Sequence, residues 1–163
     1  MSQFSTDTNI WISLCHLGVL EMAFQLGHHY LMEESAANDE ILSPPNLLGQ
    51  LRGLGLTETP LSKEEFNFVW GHREKYPRLS VYDLYALAIA KCRSLTLLTS
   101  DGPLRKAAIN EGVPVHGLLW IIVECSRAAI ISPEEKNRLL DLIEENLSDY
   151  RLKKEDIQKA RRM

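Results

Sequence analysis

The segment Leu95-Thr-Leu-Leu-Thr-Ser-Asp101, followed at once by Gly-Pro-Leu-Arg-Lys-Ala-Ala108, constrains the fold more than any other part of the chain. A short apolar run stops at Thr99, Ser100 and Asp101, which are residue types that cap helices, and Pro103 falls in the first helical turn, where its missing N–H is not needed. Leu104, Ala107 and Ala108 keep helical spacing, and Gly112 fits the position just past the helix end. The unit reads strand, acid, helix. In α/β proteins the carboxyl ends of strands carry the chemistry. Taken alone, Asp101 is accounted for as a helix cap.

The same unit recurs. Asp7-Thr8-Asn9 precedes Ile10, Ile12, Leu14 and Leu17, so Asp7 sits where a strand passes into a helix. The strand before it is weakly written, since Ser2-Gln3-Phe4-Ser5-Thr6 holds one apolar side chain and only tertiary burial would make it extended. Leu79-Ser80-Val81-Tyr82-Asp83 opens a helix over Leu84–Lys91 whose faces are apolar nearly all round, which predicts a buried helix in the middle of the domain. Ser80 and Asp83 have capping-box spacing, so capping and function weigh evenly on Asp83. After the strand candidate His29–Met32, the run Glu33–Leu42 reads as helix. Glu33 and Glu34 suit its N-terminus, whereas Asp39 and Glu40 lie late, against the helix dipole, either on a solvated face or placed for use.

The remaining elements follow local signals. Pro44-Pro45 starts a short helix over Asn46–Leu51, Gly53–Leu56 ends it, and Thr57–Thr59 reads as an exposed strand. Ser62-Lys63-Glu64-Glu65 is a second capping box, opening a helix that ends before Pro77. Val113–Val115 fits a short last strand, Gly117–Ala128 a buried helix, and Ser132-Pro133-Glu134-Glu135 the start of another. The expectation is an α/β domain with a parallel sheet of about four to five short strands and helices on both faces. Residues 1–128 form that domain and 129–163 a helical extension, packed on it or trailing.

With these residues in order, the chain resembles the PIN-domain ribonucleases: Thr6-Asp7-Thr8-Asn9, the late Glu40 before Ile41-Leu42, Leu79-Ser80-x-x-Asp83 with its alanine-rich helix, and Leu98-Thr99-x-Asp101 with Leu104-Arg105. The resemblance covers roughly residues 4 to 122. It implies a PIN-like fold and four metal-binding carboxylates, Asp7, Glu40, Asp83 and Asp101, supported by Asn9 and Thr99. Asp39 leaves the second acid open by one residue, and the first strand lacks the family's usual apolar run. The resemblance further implies a toxin of a toxin–antitoxin pair, with RNA as substrate, a small antitoxin protein as partner and a homodimeric state. Four gathered carboxylates repel one another unless divalent cations neutralise them, and an oxygen-only set suits Mg²⁺ or Mn²⁺. The alternative is a catalytically inactive PIN-like RNA-binding or protein-interaction module whose acids are caps.

Other classes fit less well. A haloacid-dehalogenase phosphatase wants D-x-D, and Asp7-Thr8-Asn9 lacks the second acid; a receiver-like phosphoacceptor wants paired acids that Ser5-Thr6-Asp7 does not supply. No apolar run reaches the 18 or so residues of a membrane span, and the N-terminus lacks a signal-peptide pattern, so a cytoplasmic location without membrane contact is expected. Cys15, Cys92 and Cys125 are widely spaced and read as buried thiols. The five histidines show no metal-binding pattern. Trp11 and Trp120 are assigned to the core, while Trp70 suits core or interface. Residues 1–150 carry 12 basic against 20 acidic side chains, and residues 151–163 carry 6 against 2, in a chain of net charge −4. Such an acidic body is unusual for tight nucleic-acid binding. The basic tail is either a phosphate grip or a solvated helix.

Overall fold

The computed structural model describes residues 2–163. In chain order the elements are β1 (Gln3–Thr6), α1 (Thr8–His16), α2 (Leu20–Gln25), β2 (His29–Glu33), α3 (Glu34–Glu40), α4 (Leu47–Leu54), β3 (Thr57–Thr59) and α5 (Lys63–His72). They continue with α6 (Val81–Cys92), β4 (Thr96–Leu98), α7 (Gly102–Asn110), β5 (Val115–His116), α8 (Leu118–Arg127), α9 (Pro133–Glu145), α10 (Leu147–Tyr150) and α11 (Lys154–Arg162). The strands form one five-stranded sheet in the order β3-β2-β1-β4-β5, every neighbouring pair parallel. Helices cover it, giving a PIN-like α/β architecture with extra C-terminal helices.

Sheet periodicity divides the core in two. Leu97 joins the cluster of Leu84, Leu87, Leu104 and Ala108 on one face, while its neighbour Leu98 joins that of Phe4, Trp11, Tyr30 and Leu118 on the other. β1 obeys the same alternation despite its polar composition. Phe4 enters the second cluster, the Ser5 hydroxyl donates to the Ala86 carbonyl of α6 at 2.7 Å, and the Thr6 hydroxyl donates to the Leu31 carbonyl at 2.9 Å. Buried hydroxyls with partners are tolerated at the centre of a sheet. That is why a strand with one apolar residue occupies the middle position.

The local signals hold where the energetics are local. Both capping boxes form, at Ser62–Glu65 and at Ser80–Asp83, and α6 buries Leu84 and the run Ala86–Ala90. Gly112 closes α7 with φ +72°, a conformation that favours glycine. Three expectations shift. The last strand is Val115–His116 rather than Val113–Val115, because the Val113 N–H donates to the Ala108 carbonyl to finish α7. Cys125 is buried, but Cys15 and Cys92 are only half-buried. Trp11 is fully buried, whereas Trp120 is half-buried and Trp70 half-exposed. The C-terminal segment is packed on the domain: Leu139, Leu140, Ile143, Ile157 and Ala160 belong to the same cluster as Phe4 and Trp11. No helix among the described residues is long and apolar enough to cross a membrane.

Glu65 does more than cap. It is 1 % exposed, and its two oxygens take the Arg93 guanidinium at 2.7 and 2.9 Å, tying α5 to the end of α6. These bonds hold its carboxyl below the usual glutamate range despite burial. Glu65→Ala removes the cap and strands half-buried Arg93, and a loss of about 2 kcal/mol is expected in urea unfolding. A change below about 0.5 kcal/mol would contradict this role.

Candidate active site

The site lies at the carboxyl edge of the sheet, where β1 has β2 on one side and β4 on the other and the chain reverses its order of progress, the usual place for a crevice in such folds. The Asp7 N–H donates to the Leu98 carbonyl at 3.0 Å, which sets the end of β1 beside the end of β4. The Thr99 hydroxyl then donates to Asp7 Oδ2 at 2.8 Å and accepts from the Asp101 N–H at 3.0 Å. Thr99 therefore joins two of the four acids, in the supporting place given to it by the resemblance.

Asp83 enters from α6, one turn before the Ala86 carbonyl that bonds Ser5. One of its oxygens closes the capping box on the Ser80 N–H at 2.9 Å. Asp101 likewise caps α7 with one oxygen, accepting from the Leu104 N–H at 3.1 Å. A carboxylate has two oxygens, so capping fixes the rotamer and leaves the second oxygen for other work. Glu40 is held by the Thr8 hydroxyl, Oγ1 to Oε1 at 2.7 Å, while Asp39 accepts from the Tyr82 hydroxyl at 2.6 Å. Of the two, Glu40 is the one whose charge acts on Asp7. Asn9, half-buried in the first turn of α1, makes no side-chain hydrogen bond to these acids among the described residues; Thr8, its neighbour, does.

Electrostatics show the acids as one group. Asp7 is 5 % exposed and has no ion pair among the described residues. Burial first, then the charges of Asp83, Glu40 and Asp101, push its carboxyl up to about 7 against the Thr99 hydrogen bond. Burial also raises Asp83 and Glu40, each further raised by a neighbouring acid. Arg151 joins them from the basic tail, where no local pattern in the sequence marks it. It follows α10 with φ 55° and places Nη1 2.5 Å from Asp101 Oδ1, an ion pair across 50 residues.

Oxygen-only donors around a buried, cation-poor carboxylate match the chemistry of Mg²⁺ and Mn²⁺. In the rotamers present, no group of three His, Cys, Asp or Glu side chains among the described residues is set to hold one ion, so no cage of three carboxylates is formed among them. Mg²⁺ tolerates this, because it keeps several waters and takes one or two direct carboxylates. Compared with family models, with curated proteins and with solved structures, the chain matches none.

Proposed function

We propose that this chain is a metal-dependent endoribonuclease, hydrolysing RNA phosphodiester bonds at the Asp7, Glu40, Asp83 and Asp101 cluster. One observation carries the reading: a carboxylate 5 % exposed, without a cationic partner, raised to about 7 by burial and by three neighbouring acids. Strongly perturbed groups mark functional sites, and capping accounts for Asp83 and Asp101 but not for the buried charge of Asp7. Asp7, Asp83, Glu40 and Asp101 would hold Mg²⁺ or Mn²⁺. Such an ion supplies an activated water and stabilises charge developing on the phosphodiester.

The chain's own residues do the positioning. Thr99 fixes Asp7 through Oδ2 and leaves Oδ1 for a water or an ion. The rise of the Asp7 carboxyl to about 7 belongs to the metal-free chain; a bound divalent ion would draw it back down and keep Asp7 ionised as a ligand. Ser80 and the Leu104 N–H orient Asp83 and Asp101, and Thr8 orients Glu40. A toxin role, with a small antitoxin protein and a homodimer, belongs to the same proposal.

The test is cleavage of single-stranded RNA in Mg²⁺ or Mn²⁺ by the intact chain beside Asp101→Asn and an EDTA control. Cleavage is expected in the wild type with metal, reduced at least 100-fold in Asp101→Asn and absent in EDTA. Equal cleavage in all three, or RNA binding with no cleavage in any metal, contradicts it; the second result favours the inactive binding module.

A further inference from the structure

Two cavities flank the start of α7, next to Asp101. One, of about 440 Å³, runs from Ser100 and Gly102 to His116 and Trp120, with Arg105, Lys106 and Lys153 along it. The other, of about 640 Å³, follows the adjoining face of α7 past Tyr76 and Arg78 and shares Gly102, Lys106 and Lys153 with the first. In a chain of net charge −4 this concentration of cations is local. Asp156 is the one acid lining either cavity. Lys106, Lys153 and Arg78 are exposed and have no ion pair among the described residues. The floor of the first cavity is aromatic: the His116 and Trp120 rings stack at 4.3 Å with 4° between their planes, both half-buried. Close approach is built in here, since a Cβ on Gly117 would lie 3.2 Å from the Thr99 carbonyl and 3.0 Å from Arg105.

We infer that these two cavities form one continuous track for single-stranded RNA over the start of α7, contributed jointly by the domain and by its C-terminal extension. Phosphates lie on Lys106, Lys153 and Arg78, a base stacks on the His116–Trp120 pair, and the backbone passes Asp101. The inference rests on the nuclease reading and names how the substrate lies in that site. It also gives the basic tail its role. Arg161 is spent on Asp141 and Glu144, and Ile157 and Ala160 are buried, so α11 is neither a solvated helix nor a grip along its whole length; with Arg151 paired to Asp101, the tail offers Lys153. An RNA strand fits better than an acidic peptide because cations and an aromatic face occur together, which suits phosphate and base at once.

The test reads binding without cleavage, as the fluorescence anisotropy of an end-labelled single-stranded RNA of mixed sequence with EDTA present. Lys106→Glu/Lys153→Glu is compared with Lys63→Glu/Arg127→Glu, exposed positions that line neither cavity and give the same net charge. The first pair is expected to weaken binding at least tenfold and to lower the slope of log affinity against log salt by about 1.4, from about 0.7 per phosphate contact on a single strand. The control pair is expected to change affinity less than about twofold. His116→Ala should weaken binding roughly tenfold with the slope unchanged, because stacking releases no counterions. Equal losses in the two pairs, or competition by poly-glutamate as effective as by unlabelled RNA, overturns the track. Track-dependent binding in a chain that never cleaves supports this inference and sinks the nuclease reading, whereas cleavage with track-independent binding does the reverse.

Discussion

Asp7→Asn is expected to abolish RNA cleavage, by at least 100-fold, and yet to yield a protein more stable than the wild type at about pH 8 without divalent ions. The two effects share a cause. An isolated aspartate ionises near 3.8, whereas Asp7 in the fold ionises at about 7. Below about pH 4 the carboxyl is protonated in folded and unfolded chains alike, and no difference arises. Between about 4 and 7 the unfolded chain gives up the proton while the folded chain keeps it, so stability falls as pH rises. The full cost is on the order of 4 kcal/mol, from about three units at 1.36 kcal/mol each, reached once pH passes about 7. Asparagine keeps the acceptor that Thr99 needs and carries no charge to bury.

The measurement is thermal unfolding of both proteins between about pH 5 and pH 8. The wild type should lose ground to Asp7→Asn up to about pH 7 and then hold a constant deficit, at roughly 2–4 °C per kcal/mol for a chain of this size. Adding Mg²⁺ or Mn²⁺ at about pH 8 should close the gap from the wild-type side alone, because the ion replaces the missing positive charge. A mutant less stable than the wild type at every pH would mean that Asp7 is a structural anchor rather than a destabilising functional group.

The second large effect is structural. Trp11→Ala is expected to cost about 3–5 kcal/mol, roughly a fifth or more of the stability of an ordinary domain. Trp11 is fully buried, stacks on Phe24 at 5.2 Å between ring centroids, meets Tyr30 edge-on at 5.2 Å and donates its indole N–H to the Thr6 hydroxyl at 3.0 Å. Its removal opens a large void and leaves Thr6, the residue before Asp7, without that bond. Trp11→Phe keeps most of the apolar volume and loses the donor, so it should recover more than half of the loss. Urea denaturation measures both, and a Trp11→Ala cost below about 1 kcal/mol would contradict the packing described.

What the sequence disclosed and what it hid divide by range. Both capping boxes and the strand over Thr57–Thr59 were legible because their signals lie within a few residues. β1 was barely legible, because its polar residues are made acceptable by partners far along the chain, Ala86 for Ser5 and Leu31 for Thr6. In the site, Asp7 and Asp101 could be named from their strand–acid–helix units, whereas no strand among the described residues directly precedes α6 at Asp83 and Glu40 ends α3, so those two rested on the resemblance. The choice between Asp39 and Glu40 needed Tyr82 and Thr8 in place. Arg151 had no signal at all, since its partner lies 50 residues away and the basic tail around it read as a single block. Asp101 caps α7 through Oδ2, while Oδ1 accepts from Arg151. Cap and site are two oxygens of one side chain.

That the four acids act as one cation site is tested most directly by titrating Mn²⁺ into the metal-free chain by calorimetry near pH 7, in two buffers of different ionisation heat. With Asp7 half-protonated at that pH, the wild type is expected to show saturable binding and to release about half a proton per site filled, and Asp7→Asn to lose both the binding and the proton. Identical Mn²⁺ binding by wild type and Asp7→Asn, or no saturable binding by either, would contradict the account.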